Sequence, residues 1–441
     1  MTTVITRYPP SPTGEIHIGN MRTMLFNYLW AKKNDGQVVL RFEDTDRERS
    51  DAKFEPIAIE AFDILGITPD LGPFRQSERT DMYRERLQDL MDKDLVYEGE
   101  ESSDGSGNKV IRFRNPNKEI TFHDHVLGEI TIDTTDFGDF VIARSINDPI
   151  YHFTVVVDDI DMGITHILRG ADHITSTPRQ ILLIEALEGA VPEYAHLPLI
   201  NGDDKKKLSK RHGAVTVGGF VAQGYLPEAI VNYLAFLGWN PGDEREIFSL
   251  QELISEFSLE RIGKSPATFN YDKLDDINRH YLMQLDADFV YQEILNFLPL
   301  DTRALFEADT VKASKIMELI ILERIKKFGD VTAMADGGDF SYLFNRPDVD
   351  EDLIQFKDDG IDKAKEMLAQ VVIKLSDLST EQWNKDMIKD ILWDWSAEVG
   401  RGSVLHPMRT TLSGSKQSPD PFTLAYILGK EETLQRLNFS K

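Results

Sequence analysis

The sequence predicts an α/β chain: a Rossmann-like parallel sheet, interrupted by a small α+β insertion and followed by an all-α C-terminal third. Three observations predict it. Residues 3–42 read strand, glycine-containing loop, helix, strand, a βαβ unit whose crossover should be parallel and right-handed. Residues 110–143 hold four short runs with the look of antiparallel strands. After about Leu285 the strand signals thin out and helical periodicity takes over. With 441 residues, and ~150 residues per domain, about three domains are expected.

The elements follow in order. Residues 3–8 form a β-branched run that stops at Pro9-Pro10, a strand entering a stiff loop. Ser11-Pro12-Thr13-Gly14 is turn chemistry. From 18 to 34, Met21, Leu25, Phe26, Leu29 and Trp30 recur at helical spacing, and Asp35-Gly36 closes the helix. Residues 37–42 are a second strand, followed at once by Glu43-Asp44-Thr45-Asp46. Amphipathic helices are expected over 53–65 and 79–93, and a flexible polar loop over 98–108. The strands of the insertion are 110–113, 120–122, 129–132 and 140–143. The apolar run 151–157 reads as a strand ending in Asp158-Asp159. Residues 164–168 form another, and Gly170-Ala171-Asp172 leads into a helix over 177–188. Further helices are expected over 290–297, 311–328, 363–375, 381–399 and 423–437, with an acidic, linker-like stretch at 348–362. The implied domains are 1–95 and 146–204 as two halves of the core, 96–145 as the insertion, 205–288 as a connecting region, and 289–441 as the helical part.

Composition narrows the chemistry. Lys and Arg number 49 and Asp and Glu 75, a formal charge of −26. That argues against a general nucleic-acid coat protein but leaves room for local basic patches. There is no cysteine, which excludes disulfides, thiolate catalysis, iron–sulfur clusters and Cys-based zinc sites. The first ten residues lack the layout of a signal peptide, and no apolar run reaches the ~18–20 residues of a membrane helix. A cytoplasmic protein is expected, with no membrane partner.

Two stretches carry chemistry. Pro10-Ser11-Pro12-Thr13-Gly14-Glu15-Ile16-His17-Ile18-Gly19-Asn20 lies between the first strand and first helix, where ligands of open α/β sheets bind. Gly19 would let a flat ring approach the backbone, and His17 could donate to phosphate oxygens that gain charge. Taken alone, the stretch reads equally as a helix cap with an incidental histidine. The second is Lys207-Leu208-Ser209-Lys210-Arg211, within the densest basic run of the chain. Its two lysines could clamp a triphosphate by charge; alone, it is also what a solvated basic turn looks like.

Paired in this order and spacing, the two resemble the HIGH and KMSKS elements of class I aminoacyl-tRNA synthetases. The surroundings are similar to glutamyl-tRNA synthetases of the bacterial type. They include Arg7-Tyr8-Pro9-Pro10-Ser11-Pro12-Thr13-Gly14, Arg41-Phe42-Glu43-Asp44-Thr45-Asp46-Arg47, Arg75-Gln76-Ser77-Glu78-Arg79, Val155-Val156-Val157-Asp158-Asp159 and Ser176-Thr177-Pro178-Arg179-Gln180. So do the segments from Glu246 to Pro266 and Pro407-Met408-Arg409 to Gly429, so the likeness covers nearly the whole chain.

The resemblance implies a Rossmann-like catalytic core with an inserted domain that binds the tRNA acceptor end, a stem-contact region, and a helical anticodon-binding domain. It implies a two-step ligation of L-glutamate to the 3′ end of tRNA(Glu): formation of glutamyl-adenylate from ATP with Mg²⁺, then transfer to the terminal ribose. Charging of tRNA(Gln) as well stays open. A monomer is implied, and no zinc. By position, Arg7 would pair with the side-chain carboxylate of glutamate, supported by Tyr151. Arg169 would hold the α-carboxylate, and Ser11 and Glu43 the α-amino group; Pro9 and Val155 complete the glutamate pocket. Pro10, Ser11, Thr13, Gly14, His17, Gly19, Asn20, Lys207, Leu208, Ser209, Lys210 and Arg211 would surround ATP. His17, Lys207 and Lys210 would stabilise charge during adenylation, and no protein nucleophile is expected. Asp158 and Asp159 would either meet the tRNA end or simply terminate a strand. Candidates for tRNA phosphate contacts are 205–211, Arg324, Lys326, Lys327, Arg401, Arg409 and Lys416.

The chain departs from the family pattern at Asn20, His152, Ala171 and Asp276, and between Tyr97 and Val110, where it is shorter and lacks the zinc ligands of some relatives. Four rivals remain at this level, of which a glutamyl-queuosine enzyme and a small-molecule nucleotidylyltransferase would not need the helical third of the chain. A glutaminyl-tRNA synthetase would need a β-barrel C-terminal part, and a non-catalytic tRNA-binding paralogue would not need His17, Lys207, Lys210, Arg7 and Glu43 intact.

Overall fold

A computed structural model of the chain describes residues 3–46, 48–100, 109–202, 204–206 and 216–438. It divides into two compact units, Met1–Tyr281 and Leu282–Lys441.

The first unit opens with β1 (Ile5–Tyr8), α1 (Ile18–Lys33), β2 (Gln37–Phe42), α2 (Phe54–Ile64) and β3 (Leu71–Arg75). The three strands pair in parallel, β1 to β2 and β2 to β3, as the βαβ reading required. Lys32 and Lys33 end α1 where cations suit the helix dipole. Gly36 then returns the chain so tightly that a Cβ there would collide with the carbonyl of Val4. After α3 (Thr80–Asp92) come β4 (Val96–Glu100), β5 (Lys109–Phe113), β6 (Glu119–Asp124), β7 (Gly128–Asp133), β8 (Phe140–Ser145) and β9 (Asp148–Pro149). β4, β5, β8 and β9 form an antiparallel sheet.

The chain then returns through α4 (Tyr151–Asp161), β10 (His166–Gly170), α5 (Thr177–Ala186) and β11 (Glu193–Leu197). β10 pairs in parallel with β11, and a backbone bond from Thr165 N to Ile5 O (2.9 Å) sets the start of β10 beside β1. Two sheets therefore meet at β1 and β10, with β2 and β3 running outward on one side and β11 on the other. That reversal is the topological switch point of an open α/β sheet, where ligands bind at the carboxyl ends of the strands. The inserted hairpin is not separate from this sheet: β6 pairs in parallel with β11 through Asp124 and Tyr194. The unit closes with β12 (Ile200–Asn201), α6 (Val217–Ala222), α7 (Pro227–Phe236), α8 (Leu250–Glu256), β13 (Ala267–Thr268) and α9 (Tyr271–Leu282).

Two expectations are corrected here. Residues 151–157 are the start of helix α4, not a strand, because Phe153, Thr154, Val155, Val156 and Val157 are all buried and no alternation remains. Residues 98–100 belong to β4; the rest of the expected loop, 101–108, lies outside the described residues.

The described residues of the second unit contain no strand. The helix expected over 311–328 runs as Thr310–Ile316, then a π turn over Met317–Ile321, and ends at Arg324. The one expected over 423–437 is two helices, Pro421–Leu428 and Lys430–Leu437, broken at Gly429 (φ 80°). The linker-like stretch holds a short helix, Glu351–Ile354, and Arg401–Ser413 is a helix where the sequence reading expected none.

Candidate active site

A cavity of about 580 Å³ opens at the switch point. The carboxyl end of β1 brings Arg7, and the following turn brings Pro9, Pro10, Ser11 and Thr13. The start of α1 brings His17, Gly19 and Asn20. Glu43 comes from the end of β2, Tyr151 from the first turn of α4, and Arg169 from β10. Gly14 and Val155, both expected in the site, do not line it. Val155 is 1% exposed and packs into the core of α4. Lys207, Leu208, Ser209, Lys210 and Arg211 lie outside the described residues, but their flanks reach the site. Leu199 and Ile200 line the cavity on one side, and Thr216 forms a β-bridge with His17 on the other.

His17 is the N-cap of α1, its Nδ1 accepting from Gly19 N (3.2 Å). A lone pair on Nδ1 leaves the neutral ring's hydrogen on Nε2. A Cβ on Gly19 would meet nothing nearer than His17 Nδ1 at 3.6 Å. No described neighbour therefore forces glycine there, and the space beside it is on offer to a ligand.

Behind the cavity lies a buried ion network. Asp159 of α4 meets Arg7 (Nε to Oδ2, 3.4 Å) and Arg41 (Nη1 to Oδ1, 2.8 Å). Arg41 also reaches Asp158 (3.4 Å) and Glu43 (3.5 Å). Asp158 accepts from Gln76 (2.8 Å), Arg79 (2.7 Å) and Tyr83 (2.9 Å). The two aspartates, ambiguous in the sequence, are therefore buried counter-ions that hold the guanidinium groups of three elements. The network is incomplete towards the cavity. Among the described residues Arg7 Nη1 is buried without a hydrogen-bond partner, and Glu43 Oε1 makes no hydrogen bond, its contact being the longer ion pair with Arg41 Nη2 (3.5 Å). Buried polar atoms left this way are costly unless a ligand meets them. Burial pushes the Glu43 carboxyl up to about 7 against the pull of Arg41 and Arg7.

Arg169 is held differently. Its guanidinium donates to His196 Nε2 (3.2 Å), Gln180 Oε1 (2.6 Å) and Thr177 Oγ1 (2.8 Å), all neutral. Its position is fixed while its charge is not cancelled by direct contact, and burial draws its pKa down. Asp172 lines the same cavity but is not among the groups that the Arg169 guanidinium bonds.

Sequence reasoning missed Arg22, Thr23 and His173 on the cavity wall. Arg22 is buried, donates to the carbonyls of Leu237 (2.9 Å) and Pro198 (2.6 Å), and is pushed down to about 10 by burial. Its place one helical turn after Ile18 was the available signal. A second cavity, of about 800 Å³, adjoins through Tyr151 and is lined by Thr45, Asp46, Gln76, Ser77 and Arg144 among others. In the helical unit a cavity of about 660 Å³ gathers Arg324, Lys385, Arg409 and Lys416. Arg324 is paired there with Asp339 (2.7 Å) and Lys385 with Asp420 (3.5 Å), while Arg401 stacks on Trp393 (4.1 Å). Among the described residues no group of three or more His, Asp or Glu has the geometry to hold a metal, and no helix is long and apolar enough to cross a membrane.

This fold and site are those of a class I aminoacyl-tRNA synthetase. The family described as tRNA synthetases class I (E and Q), catalytic domain, matches residues 3–105 and 98–276, and an anticodon binding domain family matches 290–440. The chain is 38% identical to glutamate–tRNA ligase 1 of Alkalilimnicola ehrlichii, over 99% of this chain and 97% of the relative. It is 36% identical to the glutamate–tRNA ligase of Legionella pneumophila over the same shares. A crystal structure of a glutamate tRNA ligase from Elizabethkingia meningosepticum in complex with its amino acid superposes with a TM-score of 0.83 at 29% identity, covering 99% of each chain. The chain belongs to the glutamate–tRNA ligases.

Proposed function

We propose that the enzyme joins L-glutamate to the 3′-terminal ribose of tRNA(Glu). The glutamate α-carboxylate attacks the α-phosphorus of ATP, brought as its Mg²⁺ complex, and releases pyrophosphate. The tRNA hydroxyl then attacks the acyl carbon and releases AMP. The observation that carries the residue assignment is the buried Arg7 Nη1, met by no described group, at one cavity with Glu43 and Arg169. A cation, an anion and a second cation suit the side-chain carboxylate, the ammonium and the α-carboxylate of glutamate in turn. Tyr151 and Ser11 complete the hold on the amino acid. Glutamine would turn an NH₂ towards Arg7, which has no acceptor to give it.

ATP would lie along the start of α1 against His17 and Gly19, with Lys207 and Lys210 closing from the segment whose flanks meet the cavity. Adenylation needs no general base on the protein, since the attacking carboxylate is already ionised; in the transfer step the hydroxyl proton can leave to the departing AMP phosphate or to water. Positioning and charge stabilisation supply the acceleration. The second cavity, sharing Tyr151, is the proposed seat of the tRNA terminus. The insertion 96–145 would guide the acceptor end, 205–288 the stem, and 289–441 the anticodon. The protein would work as a cytoplasmic monomer without zinc.

The test is charging of purified tRNA(Glu) and tRNA(Gln) with labelled glutamate and ATP. Incorporation on tRNA(Glu) is expected, and its absence overturns the reading. Incorporation on tRNA(Gln) decides whether the second acceptor is used.

A further inference from the structure

Arg169 touches the proposed substrate, yet the carboxylate that orients it comes from the inserted hairpin. The Nε–H of a guanidinium can only donate. Since it points at His196 Nε2 (3.2 Å), that nitrogen must carry a lone pair, so the ring hydrogen is on Nδ1. Nδ1 in turn lies 2.6 Å from Asp124 Oδ2, and the same oxygen accepts the backbone N–H of His196 (3.0 Å). The other Asp124 oxygen is tied to the backbone of Val126 (3.0 Å) and Leu127 (2.8 Å). Asp124 and His196 are both fully buried, and the Tyr194 ring stacks on the imidazole at 6.1 Å and 8°. The imidazole cannot turn, and its tautomer is dictated from one side.

We propose that Asp124 and His196 are positioning residues for the ligation: Asp124 fixes the imidazole tautomer that aligns the Arg169 guanidinium on the glutamate α-carboxylate. The interposed ring explains why a carboxylate serves here without quenching the binding charge. In direct contact, Asp124 would neutralise Arg169 and compete with the substrate. One imidazole further away, it orients Arg169 and leaves the charge for the ligand. The arrangement also gives the insertion a part in amino-acid binding, because Asp124 is the last residue of β6. It rests on the assignment of Arg169 to the α-carboxylate made above.

The experiment measures KM for glutamate and for ATP in the full tRNA-charging reaction, with the whole enzyme and thermal unfolding as a check on folding. Asp124→Asn lets the amide donate to Nδ1, which moves the ring hydrogen to Nε2, against Arg169. It should raise the glutamate KM roughly tenfold, the worth of a hydrogen bond to a charged group, with the ATP KM unchanged. His196→Ala should do the same. His196→Gln, which keeps an acceptor for Arg169, should recover part of the loss. Folded variants with an unchanged glutamate KM, or with both KM values rising together, overturn the proposal. If Asp124→Asn does not fold, equal effects of His196→Gln and His196→Ala overturn it. Arg169→Lys separates the two readings. If it leaves the glutamate KM unchanged, the assignment of Arg169 fails. If it raises that KM while Asp124→Asn and His196→Ala do not, only the relay fails.

Discussion

Glu43 stands beside two guanidinium groups and still keeps its proton up to about 7, because burial costs its charged form more than Arg41 and Arg7 return. The sign for stability follows. Between the ordinary carboxyl value and about 7 the folded chain binds a proton that the unfolded chain has released. This contribution is therefore full below that window and is lost as pH rises through about 7. Substrate binding runs the other way, since an α-ammonium needs Glu43 ionised. The glutamate KM is expected to rise as pH falls below about 7 in steady-state charging assays, and Glu43→Gln should raise the KM and flatten that profile. Arg7 gives a second expectation. Its Nη1 is buried without a partner and Nε holds Asp159, so Arg7→Ala removes the cation facing the glutamate side chain and strands Asp159 as well. A loss of about 10- to 100-fold in kcat/KM for glutamate follows from the usual worth of charged hydrogen bonds, and saturating glutamate should restore much of the rate.

Helix α4 is where pattern and structure part company. Three consecutive valines after an aromatic pair have strand propensity, and a helix buried on all sides over 153–159 has no polar face there to betray its period. Its end was misread for a related reason. Asp158 and Asp159 look like a strand terminator, but in the fold they anchor α4 to β1, β2 and α3 through Arg7, Arg41 and Arg79. Pairings across 79 to 152 residues leave no local trace in the chain. The βαβ unit and the cavity residues from β1, α1 and β2 were legible, because turn chemistry and helical spacing are local. The Asp124–His196 pair was not, since neither residue has a motif around it. Asp158 tests this view of α4. Asp158→Asn keeps the shape and removes the charge facing Arg41 and Arg79, so a cost of about 3–5 kcal/mol is expected from thermal or urea unfolding. A change near zero would mean that the apolar packing of α4 alone holds the three elements.

Over the whole molecule the formal charge of −26 repels a polyanion, while cations gather locally at 205–211 and in the helical unit at Arg324, Lys385, Arg409 and Lys416. If phosphates are held by such patches, bound counter-ions are released on docking and affinity falls with salt. Glutamate is held by short contacts inside a cavity, where screening is weak. The tRNA KM should therefore climb steeply between low and high salt while the glutamate KM hardly moves. The division at Tyr281/Leu282 sharpens this into a test by truncation. The ion network and the 580 Å³ cavity lie wholly in the first unit, so residues 1–282 carry every described group proposed to hold glutamate. That fragment should still bind glutamate, read by calorimetry or by thermal stabilisation with glutamate and ATP. It should charge tRNA(Glu) more slowly, with a shallower salt dependence and less discrimination between tRNAs, because four of the cations above are gone with the helical unit. A fragment that charges tRNA(Glu) at the full rate with an unchanged salt slope would move the phosphate contacts back onto the first unit. The basic run at 205–211 would then be the patch that overcomes the overall charge.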